Sequence, residues 1–384
     1  MDYITLPLGR THNKVSLCVS IVSENSEITK AIKMKRKNNL YNKILNTNNL
    51  FLAHKRAKKG KKHYRAVLEV DSNLNGYIYK LNQSLIHKTH KTSKYDIDTR
   101  IERGKERVIY KLPYFPDRIL HHAILQVIQP ILEQTYIKDT YQSIKGRGIH
   151  KAKDRMQLFL KDVDNTQYCL KLDIKKYYPN VDNEILKELL RKKIKCKDTL
   201  NLLDEIIDST KGLPIGNYTS QTFGNFYLSY FDHWLKEVKG VKYYIRYADD
   251  LTILHKDKNY LHRLKNEIEQ YLKDELNLIL KENWQVFPIN ERGIDFLGFK
   301  FYHTHTLLRD SIKKAFIKTI KKSNNINSIM SYYGWIKASD SYNLLRKNIN
   351  LNKIQNLCII NKIKNPFRKI RIIRKPKMVQ LTLF

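Results

Sequence analysis

The stretch YIRYADDLTIL, residues 244–254, sets two neighbouring carboxylates, Asp249 and Asp250, inside a run rich in aromatic and β-branched residues. Such a run reads as strand. Adjacent carboxylates repel, and withdrawing either from water costs free energy unless a partner compensates. Two arrangements satisfy the constraint. One is a plain hairpin turn, in which Asp is a common turn former. The other is a divalent cation, because Mg²⁺ prefers carboxylate oxygens and takes only one or two from a protein, leaving positions for water and phosphate.

A second segment supplies a third carboxylate. In YCLKLDIKKYYPNVDNEILKELLRKKI, CLKLD reads as a strand ending on Asp173, IKKYYPNVD as a turn, and NEILKELLRKKI as a helix capped by Asp182 or Asn183. Antiparallel strands lie ~5 Å apart, so carboxylates at matching strand ends can converge. Such a cluster can hold two Mg²⁺ ions ~4 Å apart, which clamp an in-line phosphoryl transfer.

The remaining segments predict a mixed α+β plan with a sheet on one face of helices. Residues 36–63 read as a basic helix or helix pair, and 64–86 as helical. A basic extended segment then leads into an amphipathic helix near Asp117, with Ile119, Leu120, Ala123, Ile124, Val127 and Ile128 on its apolar face. SIKGRGIHKAKDRM is a Gly-containing basic loop feeding a helix. KGLPIGNYTSQTFGNFYLSYFDHWLKEV is a Gly/Pro loop followed by a helix from about Ser220 to Lys236. After the hairpin, KNYLHRLKNEIEQYLKDEL is a helix, LILKENWQVFPI is extended, IDFLGFKFY is a strand, and residues 309–350 are helical and basic. Residues 1–35 read as a β-rich lead-in, with VSLCVSIV as a strand too short to span a membrane.

Charge names the class of partner. Lys and Arg number 72 against 37 acidic residues, a formal net charge of +35. That excess is self-repulsive and points to a polyanion. The 25 Tyr supply stacking faces among the charges, which suits nucleic acid better than a bilayer. A Lys-rich genome raises the Lys count without explaining the shortage of acids. Hydrophobic residues make up 42%, enough for a globular core. Cys18, Cys169, Cys196 and Cys358 are widely spaced, with no zinc-type cluster, as in a reduced, cytoplasmic protein.

LKLDIKKYYP, KGLPIGNYTSQTFGNFYLSYFDHWL, YIRYADDLTIL and GIDFLGFKFY together resemble the successive palm motifs of reverse transcriptases, in order and at sensible spacing. KERVIYKLPYFPDRILHHAI and SIKGRGIHKA resemble the fingers motifs, and the likeness covers about residues 40–345. The resemblance implies a right-hand polymerase fold. It implies a lead-in and basic helix over 1–60, fingers over 61–165, a catalytic palm over 166–305, a helical thumb over 306–365 and a basic tail over 366–384. Asp173, Asp249 and Asp250 become the catalytic and metal-binding carboxylates, with the Ile174 carbonyl a further ligand for two Mg²⁺, or Mn²⁺ in their place. Lys105 and Arg107 would hold the incoming triphosphate, where a bidentate guanidinium suits phosphate. Tyr178 falls at the aromatic position that excludes a ribose 2′-hydroxyl. Ile215, Gly216 and Gln221 would line the nucleotide site, and Phe296, Leu297 and Gly298 the primer grip. The family's Lys after the hairpin helix has no clean counterpart; Lys281 is nearest, its role open.

Within the family, Ile215 stands where many members have Gln. IGNYTSQ, WQVFPINERGIDFLGF and SYYGWIKASDSYNLLRK are similar to reverse transcriptases of diversity-generating retroelements, a group II-intron-like lineage. That subtype copies a template-repeat RNA into cDNA with errors opposite adenine, so that the cDNA diversifies a variable-repeat gene. Replacing a hydrogen-bonding Gln by Ile removes polar discrimination at the nascent pair. The subtype implies an RNA template, a DNA primer, dNTPs and a small basic helical-bundle accessory protein. Alternatives are a reverse transcriptase of antiphage defence or abortive infection, and a noncatalytic RNA-binding protein on a polymerase scaffold. The last five residues, QLTLF, resemble a peptide that docks on the bacterial sliding clamp. Leu381, Leu383 and Phe384 would fill apolar pockets, with Gln380 hydrogen-bonding at the edge.

Overall fold

The computed structural model describes residues 35–102, 104–322, 325–348 and 354–357. The VSLCVSIV segment and the Gln380–Phe384 peptide lie outside the described residues, as does the side chain of Lys105.

In chain order the principal elements are α1 (Tyr41–Leu45), α2 (Thr47–Ala57), α3 (Arg65–Ser72), α4 (Leu74–Ile86), β1 (Asp96–Glu102), β2 (Lys105–Lys111), α5 (Ile119–Glu133), β3 (Thr140–Tyr141), α6 (Ile149–Phe159) and β4 (Tyr168–Asp173). There follow α7 (Asn183–Arg191), α8 (Lys197–Ile207), α9 (Ser220–Tyr227), α10 (Ser229–His233), β5 (Tyr243–Tyr247), β6 (Asp250–His255), α11 (Lys258–Leu276) and β7 (Gln285–Pro288). The last are α12 (Ile289–Arg292), β8 (Ile294–Phe296), β9 (Phe299–Phe301), β10 (Thr306–Leu308), α13 (Asp310–Lys322), α14 (Ile326–Lys337) and α15 (Tyr342–Asn348). Five strands form one sheet in the order β3-β5-β6-β4-β7.

The chain divides into two compact units. The first takes the described residues up to Lys145, with Lys171–Ile253 and His262–Trp284. Its core is aromatic and aliphatic: Ile44, Leu50, Ile124, Leu172, Phe226, Phe231, Tyr244 and Ile253 are all buried. Side chains of that size contribute ~1.5–3 kcal/mol each on burial. The helix α7 begins where the sequence expects it. Asp182 is the cap, its Oδ1 accepting the N–H groups of Glu184 and Ile185 at 2.9 and 3.2 Å, a contact typically worth ~1 kcal/mol.

The fingers-like ribbon β1–β2 is antiparallel, with Arg100 opposite Arg107 and Glu102 opposite Lys105. It is fastened at its base: the Tyr110 N–H donates to the Ile215 carbonyl at 2.7 Å, and Asn217 Nδ2 donates to the Tyr95 hydroxyl at 2.8 Å. The single helix expected from Ser220 to Lys236 is broken at Leu228, whose φ of −90° and ψ of 0° end α9. Ser229 explains the break locally, since its hydroxyl donates back to the Phe226 carbonyl at 2.7 Å and competes with the helical ladder.

The second unit takes Gly146–Leu170, Leu254–Leu261 and the described residues from Gln285 onward. IDFLGFKFY is not one strand but a hairpin, β8 antiparallel to β9, with Phe296 opposite Phe299. Leu297 and Gly298 turn the chain with φ of 51° and 86°. A side chain at 298 would sit 2.7 Å from Ile312 Cδ1 and 2.8 Å from the Trp335 ring, so glycine is required twice over. The expected basic helices follow as α13, α14 and α15. Among the described residues no helix is long and apolar enough to cross a membrane.

Candidate active site

Alternation along YCLKLD directs Lys171 and Asp173 to one face of β4. Because β4 and β6 are sheet neighbours, that face meets the start of β6. The Lys171 ammonium lies 3.2 Å from Asp250, bonding its Oδ2 and within ion-pair distance of Oδ1. Asp173 continues past β4 into a second pairing. Its carbonyl accepts the Lys281 N–H at 2.8 Å, the Lys175 N–H donates to Ile279, and the buried Ile174 bridges Leu280. That pairing delivers the Lys281 ammonium to Asp173 Oδ2 at 2.5 Å.

Three carboxylates therefore share one small region inside the first unit. Burial pushes Asp249 up to about 6, and the charge of Asp173 adds to the rise, with a smaller contribution from Asp250. Lys281 opposes it. Asp173 Oδ1 is buried and accepts no hydrogen bond, a costly state for a charged oxygen unless a cation meets it. As they stand, with the two lysines among them, no group of three or more His, Cys, Asp or Glu side chains among the described residues could hold a metal ion. The donor chemistry nonetheless fits a hard divalent cation: carboxylate oxygens, one of them orphaned, and a carboxyl whose ionised form is disfavoured by burial and by the neighbouring carboxylates.

Tyr178 follows on the short turn Tyr178–Asn180. It is half-buried, and its hydroxyl is pushed up to about 12 by burial and then by the Asp249 charge, which places it in the same field as the carboxylates. Its ring is set from behind. The bare α9 backbone at Gly224 leaves room for it, and a Cβ there would lie 3.1 Å from Tyr178 Cε1. Tyr177 anchors the same spot by donating its hydroxyl to the Gly224 carbonyl at 2.5 Å.

The Ile215–Gly216 pair is joined to the β1–β2 ribbon through Tyr110. Gly216 has φ of 128°, and a Cβ on it would fall 2.1 Å from the Tyr110 carbonyl oxygen. Gln221 is exposed at the start of α9, its Oε1 accepting the Ser143 hydroxyl at 2.9 Å. Arg107 is exposed on β2. Phe296, Leu297 and Gly298 form the hairpin of the second unit, with Phe296 fully buried. The sequence motifs do not single out Lys171, although its place two residues before Asp173 on a strand is a usable signal. Lys281 comes from an irregular segment whose pairing no periodicity reveals.

Residues 86–301 match the family described as "Reverse transcriptase (RNA-dependent DNA polymerase)". A curated relative, "Protein YkfC" of Escherichia coli (strain K12), is 24% identical over 234 residues, covering 49% of this chain and 61% of that protein. The chain thus spans about three fifths of that relative's length. Among solved structures, apo telomerase from Candida tropicalis aligns with a TM-score of 0.47 at 14% identity, covering 71% of this chain and 59% of that one. Telomerase from Candida albicans in complex with a TWJ fragment of telomeric RNA aligns with a TM-score of 0.46 at 11% identity, covering 74% and 58%. The family match takes in more than half of the 384 residues and includes Asp173, Asp249 and Asp250, so the chain belongs to the reverse transcriptase family.

Proposed function

We propose that the protein is an RNA-directed DNA polymerase of the diversity-generating type, copying a template-repeat RNA into adenine-mutagenised cDNA. One observation carries the polymerase reading: Asp173 and the Asp249–Asp250 pair meet on adjacent strands, with Asp249 raised to about 6 by burial and the Asp173 charge. That is an anionic pocket built for cations. Asp173, Asp249 and Asp250, with the Ile174 carbonyl, would hold Mg²⁺ or Mn²⁺. When bound, such ions lower the pKa of an attacking hydroxyl and neutralise charge on the leaving pyrophosphate.

The chain's own residues supply position. Tyr178, backed by Gly224, walls the ribose position and disfavours a 2′-hydroxyl. Arg107 and Lys105 on the exposed ribbon take the triphosphate, and Ile215 and Gly216 define the wall against which the base pair forms, with Gln221 beside them. Lys281, paired with Asp173, would hold a proton for the phosphates on leaving that carboxylate. Phe296, Leu297 and Gly298 act as the primer grip by packing. Fingers over 61–165, palm over 166–305 and thumb over 306–365 are the proposed divisions, as the resemblance implies. The Ile215 side chain supports the error-prone subtype, since apolar shape discriminates less than a hydrogen bond. A small basic helical-bundle protein is the proposed accessory, and Gln380, Leu381, Leu383 and Phe384 the proposed contact to a sliding clamp.

The test is dNTP incorporation on an RNA template with Mg²⁺, with and without the accessory protein, followed by sequencing of the cDNA. Asp249→Asn/Asp250→Asn is the control. Product rich in errors opposite adenine, absent in the control, supports the whole reading. Faithful product keeps the polymerase and favours the antiphage-defence role. A mutant as active as the parent sinks the site.

A further inference from the structure

Two residues before the turn that carries Asp249, Arg246 is fully buried on β5. So is its partner Asp232, on α10. The contact is bidentate: Nε lies 2.7 and 3.0 Å from the two Asp232 oxygens, and Nη2 lies 2.5 Å from Oδ2. Thr140 and Tyr244 donate their hydroxyls to the same carboxylate at 2.9 and 2.7 Å. Nη2 also reaches the Asn225 carbonyl at 3.1 Å.

The remaining nitrogen reaches Asn225 Oδ1 at 3.4 Å and has a second, closer target. Nη1 donates to the Ala248 carbonyl at 3.0 Å. Ala248 has φ of 57°, a left-handed conformation that side-chain-bearing residues disfavour and that persists only when the surroundings impose it. It is also the residue that joins β5 to the carboxylate pair. Stability alone does not account for the arrangement, because a buried ion pair is often no more stabilising than apolar side chains of the same volume. The planar fork accounts for it: a guanidinium can grip a carboxylate on one edge and a carbonyl on the other, which an ammonium cannot.

We propose that Arg246 is a positioning residue, anchored on Asp232, whose grip on the Ala248 carbonyl imposes the left-handed turn that presents Asp249 beside Asp173. The inference rests on the assignment of Asp249 to the active site. It predicts that turn geometry and global stability can be separated by mutation. Tyr244→Phe removes one donor from Asp232 and leaves the Ala248 contact in place. Arg246→Lys keeps the charge opposite Asp232 and loses the second grip.

The experiment measures primer extension on RNA, thermal unfolding, and Mn²⁺ binding by electron paramagnetic resonance without nucleotide, on the full chain. Both variants lower the melting temperature. Only Arg246→Lys lowers kcat, by ~10- to 100-fold with dNTP KM unchanged, as a displaced catalytic group would, and only it weakens Mn²⁺ binding. If Arg246→Lys does not fold, Arg246→Met/Asp232→Leu removes both charges, leaves no unpaired ion and shows the same kcat loss. Equal kcat in folded Arg246 and Tyr244 variants, or a rise in KM with kcat intact, overturns the proposal. Full activity in Asp249→Asn overturns the site assignment instead, and with it the purpose given to Arg246.

Discussion

Tyr178 illustrates how a single side chain depends on an atom that is missing next to it. A methyl group at 224 would press on Tyr178 Cε1 at 3.1 Å and on Tyr177 Cε1 at 3.4 Å. The ring has to shift by a few tenths of an ångström. Tyr178→Ala is expected to relax discrimination against ribonucleotides by about tenfold or more, and Gly224→Ala to move the same ratio by a smaller factor. The double variant should match Tyr178→Ala alone, because Gly224 acts only through the ring. Ratios of kcat/KM for dNTP and rNTP check this; additive effects would show that Gly224 acts elsewhere. Gly216→Ala is a harsher change, adding strain at φ of 128° to a collision with the Tyr110 carbonyl. A loss of ~2 kcal/mol or more in urea unfolding and a raised dNTP KM are expected.

At the scale of elements, α5 carries an acid-sensitive seam. Burial pushes His121 down to about 3, helped by His90, His122 and Arg118. Burial, then Arg118, Lys61 and Arg56, push His122 down to about 4, and its ring stacks on Tyr218 at 3.8 Å. Both folded values lie below the ordinary 6.5, so the unfolded chain takes up protons first as pH falls. The stabilisation is complete above about pH 6.5 and is lost toward pH 4, at up to about 1.4 kcal/mol per pH unit for each histidine. Urea unfolding at pH 7 and pH 5 measures this, and His121→Phe should flatten the difference; equal stability at both values would refute it.

Elements also show what a sequence discloses. Strand β4 is legible from the alternation of Leu170–Asp173 after an apolar start, and helix α11 from a period-3.6 pattern along its length. The β8–β9 hairpin is not, because Leu297 is an apolar residue in a left-handed turn and leaves the run looking continuous. The three carboxylates stand out as charges in apolar strands. Lys281 does not, since a long-range pairing at Ile174 and Leu280 decides where it goes.

For the molecule as a whole, the net charge of +35 makes a prediction independent of the active site. If six to ten phosphates are neutralised, RNA affinity should fall by roughly 10³- to 10⁵-fold between about 50 and 200 mM salt. Asp249→Asn should shift the affinity and leave the slope of log K against log salt unchanged. Filter binding over a salt series decides it; an affinity indifferent to salt would mean that the positive charge serves something other than nucleic acid.

The hydrogen bond from Tyr110 to Ile215 shapes how this sequence can change over generations. Residue 215 secures the ribbon with its peptide oxygen, and its half-buried side chain takes no part in that contact. If Ile215 lines the nucleotide site as proposed, copying accuracy and structural integrity rest on different atoms of one residue. Selection can exchange the side chain while the backbone contact stays, whereas the adjoining Gly216 is closed to variation. Ile215→Gln should leave the melting temperature alone and alter the error spectrum, making mutation rate an adjustable trait of an otherwise constant scaffold.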